Sequence, residues 1–175
     1  MNHKVLVTYA SRTGSTSGVA EAIGRKLSEN YLDVDVVEMK NVVNLESYSA
    51  VIAGSAIQGG EWLPEANEFM QKNVQSLQQK PFAAFLVCMT LAMKQGEKYR
   101  PHVANMLSPI RSLVQPISTG LFAGSLQLDR LTLANRVKFG ISILLGIWKK
   151  GDHRDWKAID AWAEELGGLL KERIN

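Results

Sequence analysis

Tyr9-Ala10-Ser11-Arg12-Thr13-Gly14-Ser15-Thr16 packs four aliphatic hydroxyls and one glycine between an apolar run, Lys4–Ala10, and a helical pattern. In that pattern Val19, Ala20, Ile23 and Leu27 recur at three- and four-residue spacing, the mark of one buried helix face over Ser15–Glu29. A strand that passes through such a turn into a helix presents unpaired N–H groups and the positive end of the helix dipole. The junction therefore suits an anion. Gly14 lets the backbone curl toward the ligand, and Ser11, Thr13, Ser15 and Thr16 offer O–H donors to phosphate oxygens. Capping the helix would need a single hydroxyl, from Ser15 or Thr16. Arg12 has two roles open to it, a charge-assisted bond to the anion or a place in solvent.

Working outward, short apolar runs alternate with helical patterns along the whole chain. Further strands are predicted at 34–37, 50–56, 82–89 and within 116–126. Pro64 suits the first turn of a helix whose inward stripe is Ala66, Phe69, Met70, Val74 and Leu77. Residues 97–115 read as helix interrupted by Pro101 and Pro109. A long apolar helix is expected over 129–148, and Trp156, Ile159, Trp162, Ala163, Leu166, Leu170 and Ile174 define an amphipathic C-terminal helix. Five buried strands alternating with helices imply an α/β fold, a doubly wound parallel sheet covered on both faces, in the order 2-1-3-4-5. Ligands bind such sheets beyond the carboxyl ends of the strands, so the loops after strands one, three, four and five are the ones to inspect.

Residue types remove the rival phosphate sites. A P-loop needs Lys at a place where this chain has none, and no dinucleotide glycine fingerprint is present. A phospho-acceptor receiver needs acids where Ser11-Arg12 and Gly54-Ser55 stand. His3, His102 and His153 have no spacing that suggests a metal site.

Composition narrows the class further. With 175 residues, 46% hydrophobic, 21% charged and a net charge of +3, the chain reads as one globular domain, 1–175, and not as a disordered segment. The single cysteine, Cys88, lies in the apolar run 82–89 and is expected to be a buried thiol in a reducing compartment. Ser11-Arg12 ends the first apolar stretch before a signal peptide could form. The longest apolar tract, 139–148, is well short of the ~20 residues of a membrane span. The expected location is cytoplasmic. Residues 129–157 carry +4 and the rest of the chain −1, so the basic character belongs to one segment. A specific anionic contact fits this better than a uniformly sticky, nucleic-acid-binding surface, and an ordinary solvated helix face is the other reading.

The Ser11-Arg12-Thr13-Gly14-Ser15-Thr16 loop resembles the [ST]-x-T-G-x-T phosphate loop of flavodoxins, which bind FMN. Gly54-Ser55-Ala56-Ile57-Gln58-Gly59-Gly60-Glu61-Trp62 is similar to the loop after strand three in the flavodoxin-like branch that includes menaquinone-dependent protoporphyrinogen IX dehydrogenase. The resemblance extends to the strand 82–89, the strand end Phe122-Ala123-Gly124 and a helical insert at about 127–152. It implies that residues 11–16 hold the FMN phosphate and that Ser55, Ala56, Ile57, Gln58, Gly59 and Gly60 lie beside the isoalloxazine ring. A carbonyl near Gln58-Gly59-Gly60 would accept a bond from the reduced ring. Met89-Thr90-Leu91-Ala92 would approach its other side, and Gly124, with Ser125 and Leu126, would complete the wall. Trp62 would either stack on the ring or pack against the following helix. No catalytic side chain of the protein's own is implied, since the chemistry belongs to the flavin.

Two departures from carrier flavodoxins point to a different partner. The loop after Cys88 has no aromatic before Tyr99, and the chain is mildly basic where carriers are acidic. In the insert, residues 131–148 hold more apolar surface than one buried stripe needs, edged by Arg130, Arg136, Lys138, Lys149 and Lys150. Such a segment, about 130–150, has three readings. It lies in a membrane interface at the inner face, it walls a pocket for a tetrapyrrole or quinone, or it packs against its own domain or a second subunit in a homodimer. The expectation is an FMN-dependent oxidoreductase of the protoporphyrinogen dehydrogenase type, the alternative a non-catalytic electron carrier docking a redox protein.

Overall fold

A computed structural model describes residues 4–29, 32–127, 133–146 and 149–174. His3 and Arg130, named above, and residues 129, 131, 132, 147 and 148 of the expected insert helix lie outside the described residues. Five parallel strands, β1 (Lys4–Ala10), β2 (Asp33–Glu38), β3 (Ala50–Gln58), β4 (Phe82–Val87) and β5 (Ser118–Phe122), form a sheet in the order 2-1-3-4-5, as expected. The three central strands are mostly apolar, β4 without a break, because both of their faces are covered. Alternation along each strand sorts its side chains into two cores. Val5, Val7, Ile52, Ala83 and Phe85 pack under α1 (Ser15–Glu29) and the C-terminal helix; Leu6, Val51, Ala53, Ala84 and Leu86 face the opposite layer.

That opposite layer is built from α2 (Pro64–Lys72), α3 (Val74–Gln78), α4 (Arg100–Asn105) and α5 (Ser108–Leu113). Pro101 and Pro109 divide the 97–115 stretch by sitting in the first turns of α4 and α5, where a missing N–H costs nothing. Helix α6 (Leu133–Leu144) belongs to the insert and α7 (Trp156–Ile174) closes the chain. The insert helix is shorter than its apolar run suggested: Gly146, at φ +71°, follows its last turn. Strand β4 likewise ends at Val87, two residues early, and Met89–Ala92 forms a 3-10 turn.

Two short ribbons decorate the carboxyl edge. Glu61–Trp62 folds back antiparallel on the end of β3, Ile57 opposite Trp62 and Gln58 opposite Glu61. Ser125–Leu126 pairs with Gly151–Asp152, which brings the two ends of the insert together. Among the described residues no helix is long and apolar enough to cross a membrane.

Candidate functional site

A cleft of about 620 Å³ opens at the carboxyl ends of β1, β3, β4 and β5, where the strand order reverses. Of the residues singled out in the sequence, Ser11, Arg12, Thr13, Ser15, Thr16, Ala56, Ile57, Gln58, Gly59, Gly60, Met89, Thr90 and Gly124 line it, joined by Ser125 and Leu126. The first turn of α1 forms one end. Gly14 reaches φ +84°, and around it Ser11 Oγ accepts the Gly14 N–H at 3.2 Å while Ser17 Oγ donates to the Gly14 carbonyl at 2.9 Å. Gly14 thus shapes the loop without itself standing in the wall.

Thr16 is fully buried, lines the cleft, and among the described residues its Oγ1 meets no hydrogen-bond partner. Buried hydroxyls are nearly always paired, so this one awaits an acceptor from outside the chain. Ser15 Oγ accepts the Ser125 N–H at 2.9 Å, which leaves its own proton for a further acceptor. A phosphate at this turn satisfies both. Arg12 is half in solvent and carries an ion pair that its surrounding sequence does not show. Its guanidinium pairs with the Glu65 carboxylate in the first turn of α2, Nη1 with Oε1 and Nη2 with Oε2, the latter at 2.9 Å. The Arg12 hydrogen bond holds the Glu65 carboxyl below its ordinary range. Both side chains are substantially exposed, so the pair contributes at most ~1 kcal/mol and acts as a latch between the loop and α2. Among the described residues Arg12 is the one charged side chain in the wall, which leaves the anion to N–H groups, hydroxyls and the helix dipole.

The second wall is the β3 hairpin. Gly59 and Gly60 stand at φ +64° and +88°, the paired left-handed conformation of a tight two-residue turn, which only glycine adopts without strain. Ser55 supports this hairpin from beneath. Fully buried, its Oγ accepts the Leu63 N–H at 3.0 Å and donates to the Ala56 carbonyl at 2.8 Å, so it orients the loop and does not line it. Trp62 is corrected as a ring-side residue: only 4% exposed, it packs in the core with Leu63, Ala66 and Phe69, since antiparallel pairing with Ile57 turns the indole inward. Leu91 and Ala92 are not in the wall either; the 3-10 turn presents Met89 and Thr90 instead and sets Leu91 against the core. At Gly124 three walls meet, because a Cβ there would fall 3.1 Å from Met89 Sδ, 3.2 Å from Val87 Cγ1 and 3.3 Å from Ser15 Oγ.

Leu63, Val87, Cys88, Met106 and Phe139 complete the cleft, none of them singled out for it in the sequence. Phe139, half-buried on α6, is the one aromatic in the wall among the described residues. Cys88 is a buried thiol, as expected. Among the described residues no cluster of His, Cys, Asp or Glu could hold a metal ion.

A doubly wound sheet with an unpartnered, buried Thr16 hydroxyl at the start of the first helix and a cleft over the strand ends suits a mononucleotide. The flavodoxin domain model matches residues 6–147, and the chain belongs to that family. Protoporphyrinogen IX dehydrogenase [quinone] of Escherichia coli (strain K12) is 24% identical over 95% of this chain and 96% of its own length. Probable flavodoxin 1 of Bacillus subtilis (strain 168) is 39% identical over 39% of this chain and 46% of its own. Among solved structures, a flavodoxin of Streptococcus pneumonia TIGR4 shares the fold with a TM-score of 0.62 at 17% identity, covering 95% of this chain and 99% of that one. The protein is an FMN-binding redox protein of flavodoxin fold, and the hydroxyl cradle fits the cofactor that its family binds.

Proposed function

We propose that the chain is an FMN-dependent oxidoreductase of the protoporphyrinogen dehydrogenase type, which takes electrons from a large reduced substrate with an extended apolar surface and delivers them to a quinone or another acceptor. The observation that carries this reading is the lining of the cleft. Leu63, Met106, Leu126 and Phe139 give the cleft apolar lining besides the hydroxyls that would hold a phosphate. The likeness to the Escherichia coli dehydrogenase over nearly the whole of both chains supports it as well. When bound, FMN supplies the acceptance and release of two electrons. The protein's residues do the remaining work. Residues 11–16 would hold the phosphate, the Gln58-Gly59-Gly60 turn would offer backbone to the flavin, Met89 and Thr90 would line the cleft beside it, and Phe139 with Met106 would keep water from it. Arg12, engaged by Glu65, moves no proton.

The test is anaerobic mixing of the purified flavoprotein with protoporphyrinogen. Bleaching of the flavin absorbance without any added reductase is the expected result. No bleaching, alongside rapid reduction by a ferredoxin- or NADPH-linked reductase, would make the protein an electron carrier.

A specific surface feature favours peripheral contact with an anionic membrane. On α6 and just beyond it, Leu133 (78% exposed), Val137, Ile141, Leu144 (86%) and Leu145 form an exposed apolar stripe, followed by exposed Lys149 and Lys150. Apolar residues edged by cations suit the headgroup boundary, at about 1 kcal/mol per lysine near an anionic surface. Replacing Lys149 and Lys150 together by glutamine is expected to weaken binding to phosphatidylglycerol-containing vesicles about thirtyfold. A parent protein that ignores vesicles but dimerises with concentration would assign the stripe to a second copy instead.

A further inference from the structure

The base of the insert is fastened to the first turn of α1. Its two ends pair as Ser125 with Asp152 and Leu126 with Gly151, and the His153 N–H donates to the Gly124 carbonyl at 3.1 Å. From this base two bonds converge on Ser15. The Ser125 N–H donates to its Oγ at 2.9 Å, and Arg154 Nη1 donates to its carbonyl at 3.4 Å.

Arg154 is held from several sides. Asp152 accepts its Nε at 2.7 Å and its Nη2 at 2.6 Å, and the guanidinium carbon lies 4.3 Å from the centre of the Trp156 ring. Gly18, one turn along α1, leaves the space the guanidinium fills: a Cβ there would fall 2.5 Å from Nη1. The Arg154 side chain is only 13% exposed. Taking a charge that far out of water is costly unless its hydrogen bonds are met, and here the fork with Asp152 and the Ser15 carbonyl meet them. Ser15 stands between this base and the cleft, next to the unpartnered hydroxyl of Thr16.

We propose that Arg154 is a positioning residue for the FMN phosphate, and that, through Ser15, phosphate binding and docking of the insert base strengthen each other. The proposal rests on the phosphate lying against residues 11–16. With Ser15 Oγ accepting from Ser125, the hydroxyl proton is directed to the remaining acceptor, the phosphate. With its carbonyl pinned by Arg154, the turn that presents Ser15 and Thr16 is fixed before the ligand arrives, so less ordering remains to oppose binding. Coupling of this kind is reciprocal. Whatever the insert base contributes to phosphate affinity, phosphate returns to the insert base.

The test titrates the apoprotein with FMN and with riboflavin, which lacks the phosphate. Arg154→Gln is expected to weaken FMN about tenfold and leave riboflavin unchanged, within the ordinary range of a coupling between sites. Gly18→Ala keeps Arg154 and favours the α1 helix, yet its methyl displaces the guanidinium. It is expected to lower the FMN-to-riboflavin affinity ratio by a similar factor without loss of thermal stability. Amide hydrogen exchange supplies the reciprocal arm. In the parent, FMN should slow exchange at Ser125–Leu126 and Gly151–Asp152 more than riboflavin does, and both variants should lose that difference. Equal affinity of the parent for the two ligands would overturn the phosphate placement. A parent that prefers FMN, with the ratio unchanged in both variants, would overturn the role of Arg154 alone.

Discussion

Replacing Thr16 by valine is expected to weaken FMN binding between about tenfold and about 150-fold and, at the same time, to make the apoprotein more stable. The two signs share one cause. The Thr16 side chain is fully buried at the first turn of α1, and its Oγ1 has no partner within the described residues. An unsatisfied buried hydroxyl costs roughly 1–3 kcal/mol, and valine keeps the shape and branching of threonine without that group. The apoprotein should therefore gain about 1 kcal/mol, a rise of roughly 2–4 °C in Tm for a chain of this size. In the complex the same hydroxyl donates to a phosphate oxygen. A hydrogen bond to a charged group is worth about 1.5–3 kcal/mol, and each 1.4 kcal/mol is a factor of about ten in affinity. Riboflavin should bind both proteins equally. Titration with the two flavins and thermal melting of the apoprotein read all three effects. An unchanged FMN affinity would remove Thr16 from the cradle, and a lower apoprotein Tm would mean that its hydroxyl is already paired within the chain.

The parts of the site that were legible in sequence are those set by local chemistry. Four hydroxyls around Gly14 announce an anion at a helix start whatever surrounds them, whereas Pro101 and Pro109 read only as interruptions of one helical stretch and the structure makes each the start of a helix. Buried parallel strands are nearly as plain, since covering both faces leaves only apolar residues in Ala83, Ala84, Phe85, Leu86 and Val87. What stayed hidden depends on distant partners. Arg12 meets Glu65, 53 residues away, so no window around the loop could show that its charge was already engaged. Trp62 is as suitable chemically for a flavin face as for a core, and only the hairpin register, Ile57 opposite Trp62, decides between them. Phe139 is one apolar residue in a run of many. Its place in the cleft follows from how α6 is rotated about its own axis, a property of the tertiary fold. The signal that could have raised it was the lack of any aromatic in the loop after β4 combined with an aromatic in the adjoining insert.

Gly54→Ala is expected to lower stability by about 3 kcal/mol, roughly 6–12 °C in Tm, which is severe for the addition of one methyl group. Gly54 in β3 pairs directly with Phe85 in β4, and a Cβ built on it would lie 2.0 Å from the Phe85 Cζ and 2.2 and 2.3 Å from the two Cε atoms. The ring has little room to retreat. Phe85 is fully buried, with the Phe122 and Trp162 rings at centroid distances of 6.4 and 6.3 Å, and the Trp162 indole is anchored by a 2.9 Å bond to Ser118 Oγ. The glycine is thus the complement of the phenylalanine across the central strand pair, and a compensating change is expected at its partner. Phe85→Leu removes the Cε and Cζ atoms that the new methyl would strike. The double variant should consequently be more stable than the sum of the two single losses by over about 1 kcal/mol, the coupling expected of residues in direct contact. Cofactor affinity should follow stability in this series, because Gly54 precedes Ser55, whose two hydrogen bonds orient the 56–60 loop on the cleft. Additive losses in the double-mutant cycle, or a Gly54→Ala protein as stable as the parent, would show that the ring moves aside freely and that the strand pair tolerates a side chain at this position.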